Sequence, residues 1–272
     1  GRVAAWVARA PAIVESFHND EPFLGDRSWR FRLRALARIT TQHIAISDAV
    51  KTRLVRDVGL AADSVTVVRY GVPDERGTLD RDAARAQLGV GADERVVGFV
   101  GRLTQQKRVD VLVDAAPLLR DATCVLVGDG ELRPDLEARA ARLGAGVRFA
   151  GHVPDAPAVM RAFDVFCLPS DWEGLGLVLV EAMLRGVPVA GATSGAIPEV
   201  LDHGRAGALF PPRDPAALAG VVNELLDDPA RRAEMSRAGR AFALAAFAPE
   251  RMLAETLQVY GDALGRSRRS RS

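Results

Sequence analysis

The sequence predicts an α/β fold of the doubly wound, parallel-sheet kind. Three observations predict it. After residue 80 short runs rich in β-branched residues alternate with helix-like runs, the pattern of βα units stacked on one sheet. The chain has 272 residues, 48% of them apolar, enough for one large or two medium domains with true cores. Loops bearing glycine and charge follow directly on strand-like runs, where such sheets place their ligands.

The elements follow in order. Residues 1–10 read as a helix stopped by Pro11, and 13–17 as a strand ending at His18. Residues 28–39 form a basic amphipathic helix, with Arg30, Arg32, Arg34 and Arg38 beside Trp29, Phe31, Leu33 and Leu36. Such a helix can lie on an anionic membrane surface, although a solvated face is the commoner outcome. A strand at 43–46 precedes Ser47, a good N-cap for a helix over 48–57 that Gly59 ends. A strand at 65–68 leads to Tyr70-Gly71-Val72-Pro73 and a linker at 73–79. Strands are then expected at 95–100, 123–127, 147–150, 164–168, 188–191 and 206–210. The helices between and after them fall at 80–88, 108–120, 131–142, 155–162, 177–186 and 214–227. Residues 229–247 and 249–265 read as closing helices, and the small, basic 266–272 as a disordered tail.

Composition narrows the function. A net charge of +1 gives no global attraction to nucleic acid. Cys124 and Cys167 lie in apolar strand-like runs, which suits buried thiols in a reducing compartment and hence a cytoplasmic protein. No apolar run approaches the roughly 20 residues that span a bilayer, and no secretory signal pattern is present.

The most informative stretch is 169–183, PSDWEGLGLVLVEAM. Gly174 and Gly176 allow a tight turn and a close backbone approach to a ligand. The helix that follows is apolar nearly all round except for Glu181, and an unpartnered buried carboxylate is costly. Its side chain points back toward a helix N-terminus suited to phosphate, where it can accept hydrogen bonds from a polyol such as ribose. A partly exposed Glu181 and a solvated Glu173 are the plainer alternatives. Arg102 and Lys107, five residues apart on a strand-to-helix loop, can embrace a diphosphate, or simply be solvated. Neither a Walker loop nor a three-glycine dinucleotide fingerprint is present. A lone Asp129 makes no metal site.

The spacing from Glu173 to Glu181, with GLGL after the first, resembles the retaining glycosyltransferases of family 4, which have the GT-B fold. Three further stretches match in the family's order: FVGRLTQQK (99–107), VLVGDGEL (125–132) and FAGHV (149–153). The resemblance implies two Rossmann-like parallel-sheet domains. Residues 1–73 would be a partial N-terminal, acceptor-side domain and 74–247 a donor-binding domain. Residues 248–265 would be a closing helix crossing back to the first domain, with 266–272 the tail. The family usually carries a longer N-terminal domain, so part of that half is expected to be missing here.

The same resemblance implies a reaction and its residues. A sugar would pass from a nucleotide-diphosphate sugar to the hydroxyl of a glycan, glycolipid or small molecule, with retention. Arg102 and Lys107 would bind the diphosphate and Glu181 the ribose. The amides of Gly174, Leu175, Gly176 and Leu177 would hold sugar and phosphate, and Glu173 the sugar hydroxyls. Gly101, Gly128, His152 and Val153 would border the nucleotide, and His18 would face the sugar from the other domain. Arg108 stands where the family often has glycine, and Tyr70 where asparagine is usual. No metal and no cofactor is expected, no nucleic-acid partner, and at most a peripheral contact with an anionic membrane at its inner face. A nucleotide-sugar-binding module without transfer activity, or a sugar-nucleotide epimerase on the same fold, are the alternatives.

Overall fold

The computed structural model describes residues 1–18, 26–74 and 79–269, the side chains of 268 and 269 excepted. The chain divides into two compact units. The first comprises Gly1–Gly71, Glu173–Leu175 and Phe247–Ser272; the second comprises Val72–Trp172 and Gly176–Ala246. Part of the expected linker, 75–78, lies outside the described residues, as do 270–272 of the tail.

The first unit is built from α1 (Arg2–Val7), β1 (Val14–Phe17), α2 (Arg27–Ala37), β2 (Gln42–Ala45), α3 (Asp48–Arg53) and β3 (Val65–Val67). The three strands form a parallel sheet in the order β1-β2-β3. Asp26 caps α2 by accepting from the Ser28 and Trp29 amides, at 2.6 and 3.3 Å. Of the apolar residues on α2, Leu33 is buried while Trp29 and Phe31 face solvent, so its apolar stripe is only partly used. Ser47 caps α3 as expected, accepting from the Val50 amide at 3.1 Å. α3 then widens into a π-helical turn, Leu54–Val58, and Gly59 closes it in the left-handed conformation.

The second unit carries α4 (Arg81–Leu88), β4 (Arg95–Val100), α5 (Val109–Ala115), β5 (Ala122–Val127), α6 (Arg133–Leu143) and β6 (Val147–Gly151). It continues with α7 (Ala156–Val159), β7 (Val165–Leu168), α8 (Leu177–Leu184), β8 (Val189–Ala192), α9 (Ile197–Val200), β9 (Ala208–Phe210), α10 (Pro215–Asp227) and α11 (Pro229–Ala246). Its six strands are all parallel, in the order β6-β5-β4-β7-β8-β9. Counted within the sheet this is 3-2-1-4-5-6, the doubly wound order. The strands are apolar without strict alternation because both faces are covered. Gly98 in β4 is obligatory: a Cβ there would lie 2.1 Å from the Phe163 ring.

α12 (Pro249–Arg269) returns the chain to the first unit. There Val259 joins Ile44 and Val68 in a core that Val14 and Met252 flank.

Some helices differ from expectation for physical reasons. The helix expected over 108–120 is α-helical only to Ala115. Pro117 lacks an N–H, and a 3₁₀ turn, Ala116–Leu118, replaces the last α turn. The buried Asn223 of α10 satisfies that end, donating to Leu118 O at 3.0 Å and accepting from Arg120 N at 2.9 Å. The helix expected over 155–162 likewise turns 3₁₀ after Val159. Residues 194–199, for which the pattern gave no helix, contain the start of α9, and Gly191 admits Ile197 close against β8. Within the described residues α12 continues past 265 to Arg269, and Arg266 donates to Gln42 Oε1 at 2.9 Å.

Candidate functional site

In a parallel sheet every strand delivers its following loop to the same edge. Between β4 and β7 the winding reverses, since β5 and β6 lie on one side and β8 and β9 on the other. The loops after β4 and β7 therefore flank this switch point, where open α/β sheets place their ligands. The first of these loops carries Gly101, Arg102 and Lys107, and the second leads into α8, which carries Leu177 and Glu181. Gly128 follows β5, and His152 and Val153 follow β6. Gly176, the N-cap of α8, lies with them, and all nine residues thus belong to the loops and a helix on one edge of the second unit's sheet. The remaining expected residues, Glu173, Gly174, Leu175 and His18, belong to the first unit.

The loops after β4, β5 and β6 are joined by backbone. Gly101 N donates to Val127 O at 3.0 Å, Leu103 N to Asp129 O at 2.9 Å, and Gly128 N to Gly151 O at 2.7 Å. Gly128 has φ +130°, and a Cβ on it would meet Gly101 O at 2.0 Å; one on Gly130 would meet Leu103 O at 2.4 Å. The GDG sequence is therefore explained by close loop packing. Asp129 is exposed and spoken for: the Gly130 amide and Arg133 hold its carboxyl below the usual carboxylate range. Among the described residues no three of His, Cys, Asp and Glu gather as metal ligands.

Arg102 is exposed and has no ion-pair partner among the described residues. Lys107 is half-buried, in a 3₁₀ turn, Gln105–Lys107. α8 begins at Gly176, whose left-handed φ of 80° only glycine adopts readily, and no side chain caps it. Its first-turn amides and their dipole are thus available to an anion. Glu181, one turn further on, is half-buried, and burial pushes its carboxyl up despite the nearby Arg185. Arg185 donates to the Glu181 carbonyl at 3.0 Å rather than to its carboxylate, which has no hydrogen-bond partner among the described residues. Two buried hydroxyls, Thr104 Oγ1 after β4 and Ser170 Oγ after β7, also lack partners among the described residues.

In the first unit His18 follows β1. Its ring stacks on Tyr70, with centroids 5.6 Å apart and planes 9° apart, and the Tyr70 hydroxyl hydrogen-bonds Nδ1. Glu173 is buried.

Spacing gave no sign of one further cluster. Asp171, after β7, receives Arg213 Nε and NH2 at 2.9 and 2.8 Å, and Arg108 NH1 at 3.4 Å. Arg108 also grips Asp110 at 2.9 and 2.8 Å. Its φ of 47° explains why glycine suits this position. The only sequence signal was an arginine in glycine's usual place. Rather than projecting freely, Arg108 is folded onto two carboxylates.

The comparisons agree with this architecture. Residues 94–228 match the family model described as Glycosyl transferases group 1. The 2-deoxystreptamine glucosyltransferase of Streptomyces kanamyceticus is 35% identical over 251 residues, covering 88% of this chain and 64% of that protein. The D-inositol 3-phosphate glycosyltransferase of Streptomyces scabiei is 35% identical over 255 residues, covering 87% and 57%. The chain thus spans less than two thirds of the length of these curated relatives. Among solved structures, Anabaena HepE in complex with UDP superimposes with a TM-score of 0.86 at 30% identity, covering 95% of this chain and 75% of HepE. HepE in complex with UDP-glucose gives 0.83 at 31%, with the same coverage. Parallel sheet, switch-point loops and relatives coincide, and the chain belongs to the group 1 glycosyl transferases, of GT-B fold.

Proposed function

We propose that the second unit binds a nucleotide-diphosphate sugar and that the protein transfers its glycosyl group to an acceptor hydroxyl with retention of configuration. What supports this reading is the switch point between β4 and β7, where the loop with two cations and the loop that leads to an uncapped helix N-terminus leave the same edge of the sheet. Glu181 lies one turn inside that helix with a desolvated, unpartnered carboxylate.

Each group then has a task set by its chemistry. Arg102 and Lys107 bind the diphosphate and stabilise the charge that grows on it as the glycosidic bond breaks. The α8 amides add their dipole to the same end. Glu181 accepts hydrogen bonds from the ribose, which relieves its lack of a partner. Glu173, the amides of Gly174 and Leu175, and His18 are the candidates that the family resemblance offers for contacts with the sugar. The acceptor attacks the face that the diphosphate leaves, and the leaving phosphate takes the proton. Arg102 and Lys107 supply the neutralisation, so the reaction proceeds without a divalent ion. HepE, solved with UDP and with UDP-glucose, supports the choice of donor class.

The test is kinetic. Arg102→Ala and Lys107→Ala should each lower kcat/KM for the donor by about 10²–10³, and the anomeric configuration of the product, read by NMR, should match the donor. Wild-type kinetics in both variants would remove the diphosphate assignment. Binding without transfer or donor hydrolysis would leave a nucleotide-sugar-binding module.

A peripheral membrane role for α2 has an observation in its favour. Trp29 and Phe31 are exposed among arginines, and Arg32 stacks over Trp29 at 6.0 Å from the ring centroid. Sedimentation with anionic vesicles, abolished by Trp29→Ser with Phe31→Ser, checks it.

A further inference from the structure

We infer that Asp171 is a positioning residue for the donor site, clamping the diphosphate-binding turn to the loop that leads into α8; this rests on the donor-binding reading above. The carboxylate of Asp171 is largely enclosed and receives two arginines from opposite directions in sequence. Arg213, after β9, meets it through two parallel N–H···O bonds at 2.9 and 2.8 Å. Arg108, at the start of α5, meets it at 3.4 Å and is itself anchored on Asp110. The backbone repeats the connection: Asp171 N donates to Gln106 O at 2.9 Å, and Gln106 Nε2 donates to Trp172 O at 2.9 Å. Lys107 lies between Gln106 and Arg108, so both of its neighbours are held by residues 171–172.

Two features set this cluster apart from an ordinary surface ion pair. Arg108 and Arg213 both adopt left-handed backbone, at φ 47° and 59°, a conformation that strains any residue with a Cβ. Both strained residues direct their charge at the same carboxylate. The cluster also ties the loops after β4, β7 and β9 around the turn that carries Lys107, whereas among the described residues the loops after β4, β5 and β6 are joined by the backbone bonds given above. Holding the turn in place beforehand removes the ordering cost of binding, so the effect belongs in donor affinity and KM more than in kcat.

The experiment compares Asp171→Asn, Asp171→Glu and Arg213→Gly with the wild-type chain. UDP, GDP and ADP are each titrated by calorimetry, and the tightest is used throughout. Arg213→Gly is informative because glycine accepts the backbone conformation without strain, so its fold should be as stable as wild type while the clamp is lost. Expected are a loss of about tenfold in nucleotide affinity for Asp171→Asn and Arg213→Gly, a matching rise in donor KM, and a kcat changed by less than about threefold. Recovery is expected in Asp171→Glu, with faster hydrogen exchange of the 105–108 and Asp171 amides in the two weakened variants. If wild type binds a nucleotide and both weakened variants bind within twofold of it, the positioning role is wrong. Unchanged exchange overturns it too. If wild type binds none of the three nucleotides, the donor-site reading itself falls, and the positioning role with it.

Discussion

Glu181 is a side chain whose burial works against the fold, the cost expected of the ribose-binding role proposed for it. Burial raises its carboxyl above the ordinary 4.5, so the folded state disfavours its charged form. The contribution to stability is then fully present below 4.5 and is lost as pH rises through the raised value. Glu181→Gln cannot titrate. At pH values above that raised value its thermal midpoint should match or exceed wild type, while nucleotide affinity falls about tenfold. Melting curves across pH together with calorimetry check both halves, and unchanged affinity would refute the ribose role. Glu181 was legible from sequence because a single carboxylate interrupted an apolar run. Asp171 was not, since its partners Arg108 and Arg213 lie 63 and 42 positions away in the chain and only the folded sheet brings them together.

Helices and strands of the second unit are set by contacts that sequence pattern shows unevenly. Gly98 looks like a weak point in β4 but admits the Phe163 ring beneath it. Gly98→Ala should destabilise by about 1–3 kcal/mol through overpacking, read as a lower denaturant midpoint. Asp164, at the start of β7, accepts from Arg85 of α4 at 3.0 Å, Arg81 at 2.8 Å and Val96 N at 2.9 Å. Arg85 is buried, so Asp164→Ala leaves a guanidinium without its counter-charge. That loss should cost about 3–5 kcal/mol, and a loss below 1 kcal/mol by denaturation would show that Arg85's carbonyl contacts suffice. Helix starts with Asp or Ser caps, at Asp26, Ser47, Asp80 and Asp214, fall within a residue or so of expectation because capping is local chemistry. The helix ends at Ala115 and Val159 shift because 3₁₀ turns take over, at the first of them because Pro117 lacks the N–H that would continue the α ladder.

Over the whole molecule, alternation of strands and helices was enough to announce a parallel sheet, and four short motifs announced the family. Strand order was not written in the pattern, although it decides which loops flank the switch point. The two units separate the consequences of core damage. Val259 of α12 is buried in the first unit with Ile44 and Val68. Val259→Asp should remove about 2–4 kcal/mol from that core, and hydrogen exchange should rise in β1–β3 while β4–β7 keep their protection. Equal loss in both sheets would mean that they unfold as one cooperative block. Among the described residues no helix is long and apolar enough to cross a membrane. The amide-to-carbonyl links that run from Gly101 and Leu103 to Val127 and Asp129, and from Gly128 to Gly151, carry a lesson for redesign. These three segments share one set of backbone bonds, so a chimaera that imports just one of them inherits mismatched neighbours. Exchanging all three together keeps donor and acceptor of each bond in step.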